Sequence, residues 1–382
     1  MSGAFKRFVL PAAIFQIVVV GPGFSTGREV VEYAGQLGAL GIWTIVVLLV
    51  GFAVLCTIAY ELARILRVYN YREYVRKLKG PLWPLFDLIW IVFMIVVTGI
   101  VTSAVGEVLS GSFHVPYLLA VIGVLVAIGI VLFSGRSILE GFDLLGSILF
   151  SVGIIVLAIF VLVRRWDEAA GVIASGDVSQ SPSPTVAAAL VSGLVYVGYN
   201  IPSVVPVLFC LDRQQKRRET ITAGILSGVF VTIPFVLTYL AVQSFYDEGV
   251  TEAPIPWLVM LERTGGIGLS LLFAVVLVYA VVDTSAAMIR AFLDRVDSAL
   301  AGLGRRGLTP RARTVWIVGV LVLAFVLSRI GIIALVSQGY TYLAYAFLIV
   351  FVLPLVTRGV YLILTARPQS SEEPDEAASR GG

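Results

Sequence analysis

The chain has 382 residues, of which 59% are hydrophobic and 13% charged, with a mean hydropathy of +0.98 and a formal net charge of +3. That composition excludes a soluble globular enzyme and describes a polytopic membrane protein. One histidine, His114, and two distant cysteines, Cys56 and Cys210, supply no spacing for a metal or redox centre, and a small basic excess spread over loops gives no reason to expect a nucleic-acid partner.

Runs of about 20 apolar residues, the length that crosses a hydrocarbon core, recur along the chain. Broken at polar clusters, they predict ten spans near 6–36, 38–66, 82–109, 115–134, 138–164, 185–211, 219–246, 266–296, 313–336 and 340–365. The first run leads into an interrupted motif without a small-residue cleavage site, so no signal peptide is expected. Basic residues gather after the second span (Arg64, Arg67, Arg72, Arg76, Lys77, Lys79), the sixth (Arg213, Lys216, Arg217, Arg218) and the eighth (Arg305, Arg306, Arg311, Arg313). The positive-inside rule then makes these loops and both termini cytoplasmic, with Arg164 and Arg165 the one dissent.

The expected organisation is a single transmembrane domain over residues 1–366. A first set of spans covers 6–164, a Ser/Pro/Gly-rich external linker 165–184, and a second set 185–365. The polar stretch 367–382 reads as a disordered cytoplasmic tail. Between spans seven and eight, residues 250–263 are apolar enough for a short outer helix, a candidate lid.

The most informative stretch is "GPGFSTGRE" at 21–29, inside the first span. In hydrocarbon an unpaired backbone group costs several kcal/mol, so an interrupted helix persists where protein, water or a ligand satisfies the freed groups. Gly21 and Gly23 allow unusual backbone angles, and Pro22 removes a donor. Carbonyls before Gly21 suit a cation, and N–H groups near Ser25 and Thr26 suit a carboxylate; a plain proline kink is the alternative. The sixth span repeats the pattern in "YVGYNIPSVVP" at 196–206, and paired interruptions in two halves point to a transporter site. Gly21, Gly23, Ser25, Thr26, Tyr196, Tyr199 and Asn200 are therefore the candidate substrate residues, with the tyrosines able to face an ammonium group or simply to pack. A weaker echo is "TSA", at 102–104 in the third span and 284–286 in the eighth.

Five plus five spans with the first of each set interrupted resemble the LeuT-type fold of the amino acid, polyamine and organocation transporter superfamily. Within it, "GPGFSTGREVVEYAGQLGALG" resembles the first-helix motif of the YkvI family of bacterial membrane proteins. The resemblance implies an all-α membrane protein with inverted repeats in a bacterial plasma membrane. Its partners would be the lipid bilayer and a small-molecule substrate, with no organic cofactor. It also implies a sodium site formed by carbonyls of Ile17, Val20 and Val281 with the hydroxyls of Thr284 and Ser285. Against that stands the ordinary alternative that both hydroxyls bond back to their own helix. No lysine occupies the part of the fifth span where some proton-coupled relatives carry a charge, which favours sodium.

Asp283, beside that pair, is a carboxylate in mid-span, serving a second cation, a cationic part of the substrate, a transported proton, or a structural partner such as Arg28. Glu29 and Glu32 fall on one face of the helix after the first break and either line an outer vestibule or stabilise a helix terminus. The expected function is sodium-coupled transport of a small polar metabolite, an amino acid or related zwitterion, by alternating access. The alternatives are proton coupling through Asp283 or Glu29, and a membrane sensor or accessory protein. An enzyme is disfavoured for want of any catalytic constellation.

Overall fold

The computed structural model describes residues 3–21, 24, 26–133, 136–301, 304 and 307–366. Expectations for Pro22, Gly23, Ser25 and the tail 367–382 lie outside the described residues. A π-helical turn, Phe5–Val9, leads into α1 (Leu10–Val19), and α2 (Arg28–Tyr33) follows the glycine-rich stretch. Then come α3 (Gly41–Leu66), the short amphipathic α4 (Tyr71–Lys79), α5 (Trp83–Phe113), α6 (Tyr117–Phe133) and α7 (Arg136–Ser175). The second set is α8 (Val186–Asn200) with a 3₁₀ segment Ile201–Arg213, then α9 (Arg217–Gln243), α10 (Pro256–Ala301), α11 (Pro310–Ser328) and α12 (Ile332–Thr365). Seven helical stretches among the described residues are long and apolar enough to cross a membrane, and α6 is a shorter apolar helix. The chain is an all-α, multi-pass membrane protein.

Local chemistry sets the boundaries. Asn70 caps α4, Thr185 caps α8 and Thr309 caps α11, each side chain accepting from a backbone N–H in the first turn. On α4, Tyr74, Val75 and Leu78 are buried while Arg72, Glu73, Arg76 and Lys77 stay at the surface. The helix therefore lies flat against the bundle.

Two helices run past the expected span ends. Residues 165–175, expected as the start of the external linker, are helical, because α7 continues across a kink at Arg165 (φ −136°, ψ 35°). At the other, α10 starts before its span: residues 256–265 form an arm, and Gly266 (φ 74°, ψ 178°) turns the chain into the span. The expected outer helix at 250–263 thus begins later, after 3₁₀ turns at Tyr246–Glu248 and Val250–Glu252.

In one group of helices, α3 packs on α8 and α9, and α9 on α1 and α7; in another, α5 packs with α6, α10 and α11. The α3–α9 seam is close: a Cβ at Gly228 would stand 2.8 Å from the Leu49 carbonyl oxygen and 2.9 Å from the Ala53 nitrogen. Small residues allow that approach, since without water to drive association, membrane helices are held by packing.

Candidate functional site

The first span ends its regular helix where the sequence predicts a break. Val20 leaves the helical region (φ −84°, ψ 62°), and α2 begins only after Gly27, which is left-handed (φ 81°). In the sixth span α8 gives way at Asn200 to 13 residues of 3₁₀ helix containing Pro202 and Pro206. Runs of 3₁₀ beyond a few residues are uncommon, and the change of pitch re-aims the side chains on either side of it.

Between these interruptions lies a cavity of about 340 Å³. Its wall takes Ile17 and Gly21 from the first interruption, Glu29 from α2, Tyr199, Asn200 and Ser203 from the second, and Asp283 and Thr284 from α10. Trp90 and Phe93 of α5 and Tyr340 of α12 supply aromatic faces. Most lining positions fall in the halves of their helices nearest the N-terminus and the basic loops, and on that side Val18, Ala287 and Ala291 are exposed. The cavity therefore opens toward that side.

The opposite side is sealed. The Arg28 guanidinium, 3% exposed, donates to the Thr251 carbonyl (2.7 Å) and the Ala253 carbonyl (3.3 Å) and pairs with Glu32 (3.0 Å). The backbone N–H of Trp257 donates to the Thr26 carbonyl (3.3 Å), and the buried indole sits so near Gly27 that a Cβ there would lie 3.1 Å from its ring. The arm before Gly266 is thus seated on the residues just after the first break.

At the top of the cavity Glu29 is buried, and its Oε2 accepts from the Tyr199 hydroxyl at 2.7 Å. Tyr199 stacks on Tyr340, ring centroids 4.5 Å apart and planes 19° apart, and packs against Tyr33 and Tyr196. At the lower edge Arg295 lies over the rings of Tyr71 (4.1 Å) and Trp90 (4.2 Å).

Of the predicted site residues, then, Ile17, Gly21, Glu29, Tyr199, Asn200, Asp283 and Thr284 share one cavity. Val20, Tyr196, Val281 and Ser285 are buried behind its lining, and Thr26 belongs to the outer seal. Glu29 and Glu32 do not act together: Glu29 turns into the cavity while Glu32 pairs with Arg28. Arg28 is engaged by the outer loop and Glu32. Ser203 falls inside the interrupted stretch of the sixth span but is not singled out by it, while Trp90, Phe93 and Tyr340 carry no motif; only the i, i+3 spacing of Trp90 and Phe93 marks a shared face.

The hydroxyls differ in a useful way. Thr98, Ser227 and Thr232 bond back to the carbonyl four residues earlier, as membrane hydroxyls commonly do. The buried hydroxyls of Ser285 and Thr102 have no hydrogen-bond partner among the described residues, whereas Ser103, the counterpart of Ser285 in the "TSA" echo, shares a hydrogen bond with the Tyr117 hydroxyl. No cluster of three or more His, Cys, Asp or Glu residues suited to a metal occurs among the described residues.

No protein-family model matches the sequence, and no curated protein does. Solved structures do match. An outward-open, substrate-bound Na⁺-coupled sialic acid symporter aligns at 15% identity over 95% of this chain and 87% of its own, with a TM-score of 0.52. A manganese transporter mutant of Eremococcus coleocola aligns at 14% identity over 96% and 89% with a TM-score of 0.47, and inward-facing Mhp1 at 18% over 86% and 73% with a TM-score of 0.48. The likeness to the symporter shows the fold, which is the LeuT-type arrangement of five plus five helices with the first and sixth interrupted.

Proposed function

We propose that the chain is a secondary active transporter of a small polar metabolite, an amino acid or related zwitterion, working by alternating access and coupled to sodium. One observation carries the reading: both interrupted spans, α5, α10 and α12 meet at a single cavity that is closed on one side and open on the other. With basic loops cytoplasmic, this is the inward-facing state of a protein in a bacterial plasma membrane. The motif resemblance to the YkvI family and the symporter's fold agree with transport.

Sodium coupling is supported by the chemistry of the donors. The Val20 carbonyl has left the helical path, Thr284 lines the cavity, and Ser285 holds an unpartnered buried hydroxyl beside it. Neutral oxygens suit a hard cation that must come and go. A bound ion would tie the first span to α10, and substrate preference for that conformation is all that coupling requires. Proton coupling is the second reading, favoured by two carboxylates, Glu29 and Asp283, on the same cavity.

Thermal stability of the purified protein, measured in sodium against potassium, tests the assignment. The expected result is stabilisation by sodium that Thr284→Ala with Ser285→Ala abolishes, while Asp283→Asn retains it. Sodium dependence surviving the double substitution and lost in Asp283→Asn would move the ion to the carboxylate. Indifference to sodium with uptake driven by a pH gradient would establish the proton reading.

A further inference from the structure

Resting on the transport reading, we propose that the cargo is recognised by an unblocked ammonium group, that Glu29 is the residue that selects it, and that a carboxylate on the cargo is optional. The charged side chains lining the cavity among the described residues are Glu29 and Asp283, both acidic. Among the described residues no Lys or Arg lines the cavity, and two arginines on neighbouring elements are engaged elsewhere. Arg28 faces outward to two loop carbonyls and Glu32, and Arg295 lies between the faces of Tyr71 and Trp90. An acid group entering this cavity meets no cationic side chain in its lining, whereas an ammonium meets carboxylates there.

Glu29 is placed for that task. It is 4% exposed, it lines the cavity, and it has no ion-pair partner among the described residues; its Oε2 takes a hydrogen bond from the neutral Tyr199 hydroxyl. A carboxylate buried without a cation is costly, and a positive ligand removes that cost. The hydroxyl fixes the carboxylate's orientation, and the stacking of Tyr199 on Tyr340 fixes the hydroxyl. Faces of Trp90, Phe93, Tyr199 and Tyr340 also line the space, and aromatic faces attract an ammonium and accept an apolar body. Asp283, on the α10 wall, is a second carboxylate lining the same cavity.

Matched sets of compounds test the proposal on the full-length protein in detergent. The sets are phenylalanine, phenethylamine and phenylpyruvate; leucine, isoamylamine and ketoisocaproate; and lysine, cadaverine and adipate. The expected result is that every stabilising compound carries a free ammonium and that amines stabilise at least as well as their amino acids. Glu29→Gln weakens them by about tenfold or more, as loss of a charged hydrogen-bond partner does, and Glu29→Asp retains part of the affinity. Equal stabilisation by a deaminated compound, an unchanged Glu29→Gln, or no stabilisation by any ammonium compound would each overturn it. So would loss of selectivity in Asp283→Asn instead. Failure of the transport reading itself would show differently, as wild-type accessibility on the two sides of the cavity that no ion or ligand changes.

Discussion

The two interrupted spans are built differently, although the sequence marks both with glycine and proline. At the first, the backbone departs from helix at Val20 and Gly27 adopts a left-handed conformation before α2. At the sixth, Asn200 (φ −90°, ψ −28°) and Ile201 (φ −61°, ψ −27°) stay in the helical region, and the chain only tightens into 3₁₀. The first interruption therefore turns backbone groups toward neighbours, including the seat of the outer arm. The sixth keeps its backbone bonded and contributes side chains, Tyr199, Asn200 and Ser203, at a shifted register. An ion and a closing element belong with the former, and recognition of the cargo body with the latter.

Substitutions at the first interruption should have the larger effects. Gly27→Val places a branched side chain at φ 81° against Trp257 and Pro256. The backbone alone costs about 1–2 kcal/mol, and the crowding adds to it, so a marked fall in Tm is expected. A neutral outcome would mean that the arm does not sit where described. Arg28→Met removes three hydrogen bonds from a buried cation and should cost about 2–3 kcal/mol, with faster cysteine labelling at Glu252→Cys as the arm loosens. Unchanged labelling would break the link between the first interruption and the seal.

At the sixth span the expected effect is smaller. Pro202→Ala returns a donor to a segment already helical, and should shift stability by less than about 1 kcal/mol. A loss as large as that at Gly27 would erase the distinction between the two spans. Smallest is the pH effect at the outer loop, where a hydrogen bond from Arg165, with Arg263 also adjacent, holds the Glu248 carboxyl below its usual range. Because the folded-state value is the lower one, this contribution is complete above the unfolded value and lost as pH falls through the folded one. With the side chain 38% exposed, solvent screening keeps it under about 1 kcal/mol. Glu248→Gln should lower Tm slightly at neutral pH and leave it unchanged at acid pH, flattening the acid limb, and an unchanged Tm at neutral pH would show that the loop is held otherwise.

Much of this arrangement was legible in the sequence for physical reasons. Length and apolarity mark the spans, and glycine beside proline marks both interruptions, because in hydrocarbon neither residue type is tolerated there without compensation. The residues around Asp283 stand out because a mid-span carboxylate does. Trp90, Phe93 and Tyr340 do not, since an aromatic in an apolar run reads as packing until tertiary structure turns it toward a cavity. The split between Glu29 and Glu32 was equally hidden. Helical spacing puts them on one face, but the short α2 directs the first to Tyr199 and the second to Arg28, and only the partners decide.

The central claim, that the cavity between the interrupted spans opens alternately to the two sides, is tested most directly by single cysteines at Val18 and Glu252, labelled with an impermeant reagent in oriented vesicles. Val18 is 41% exposed on the open side here. The account predicts that Val18→Cys reacts from the basic-loop side without sodium and is protected when sodium and a stabilising amine are present, while Glu252→Cys changes in the opposite sense. Labelling of both positions that stays constant across these conditions would contradict it.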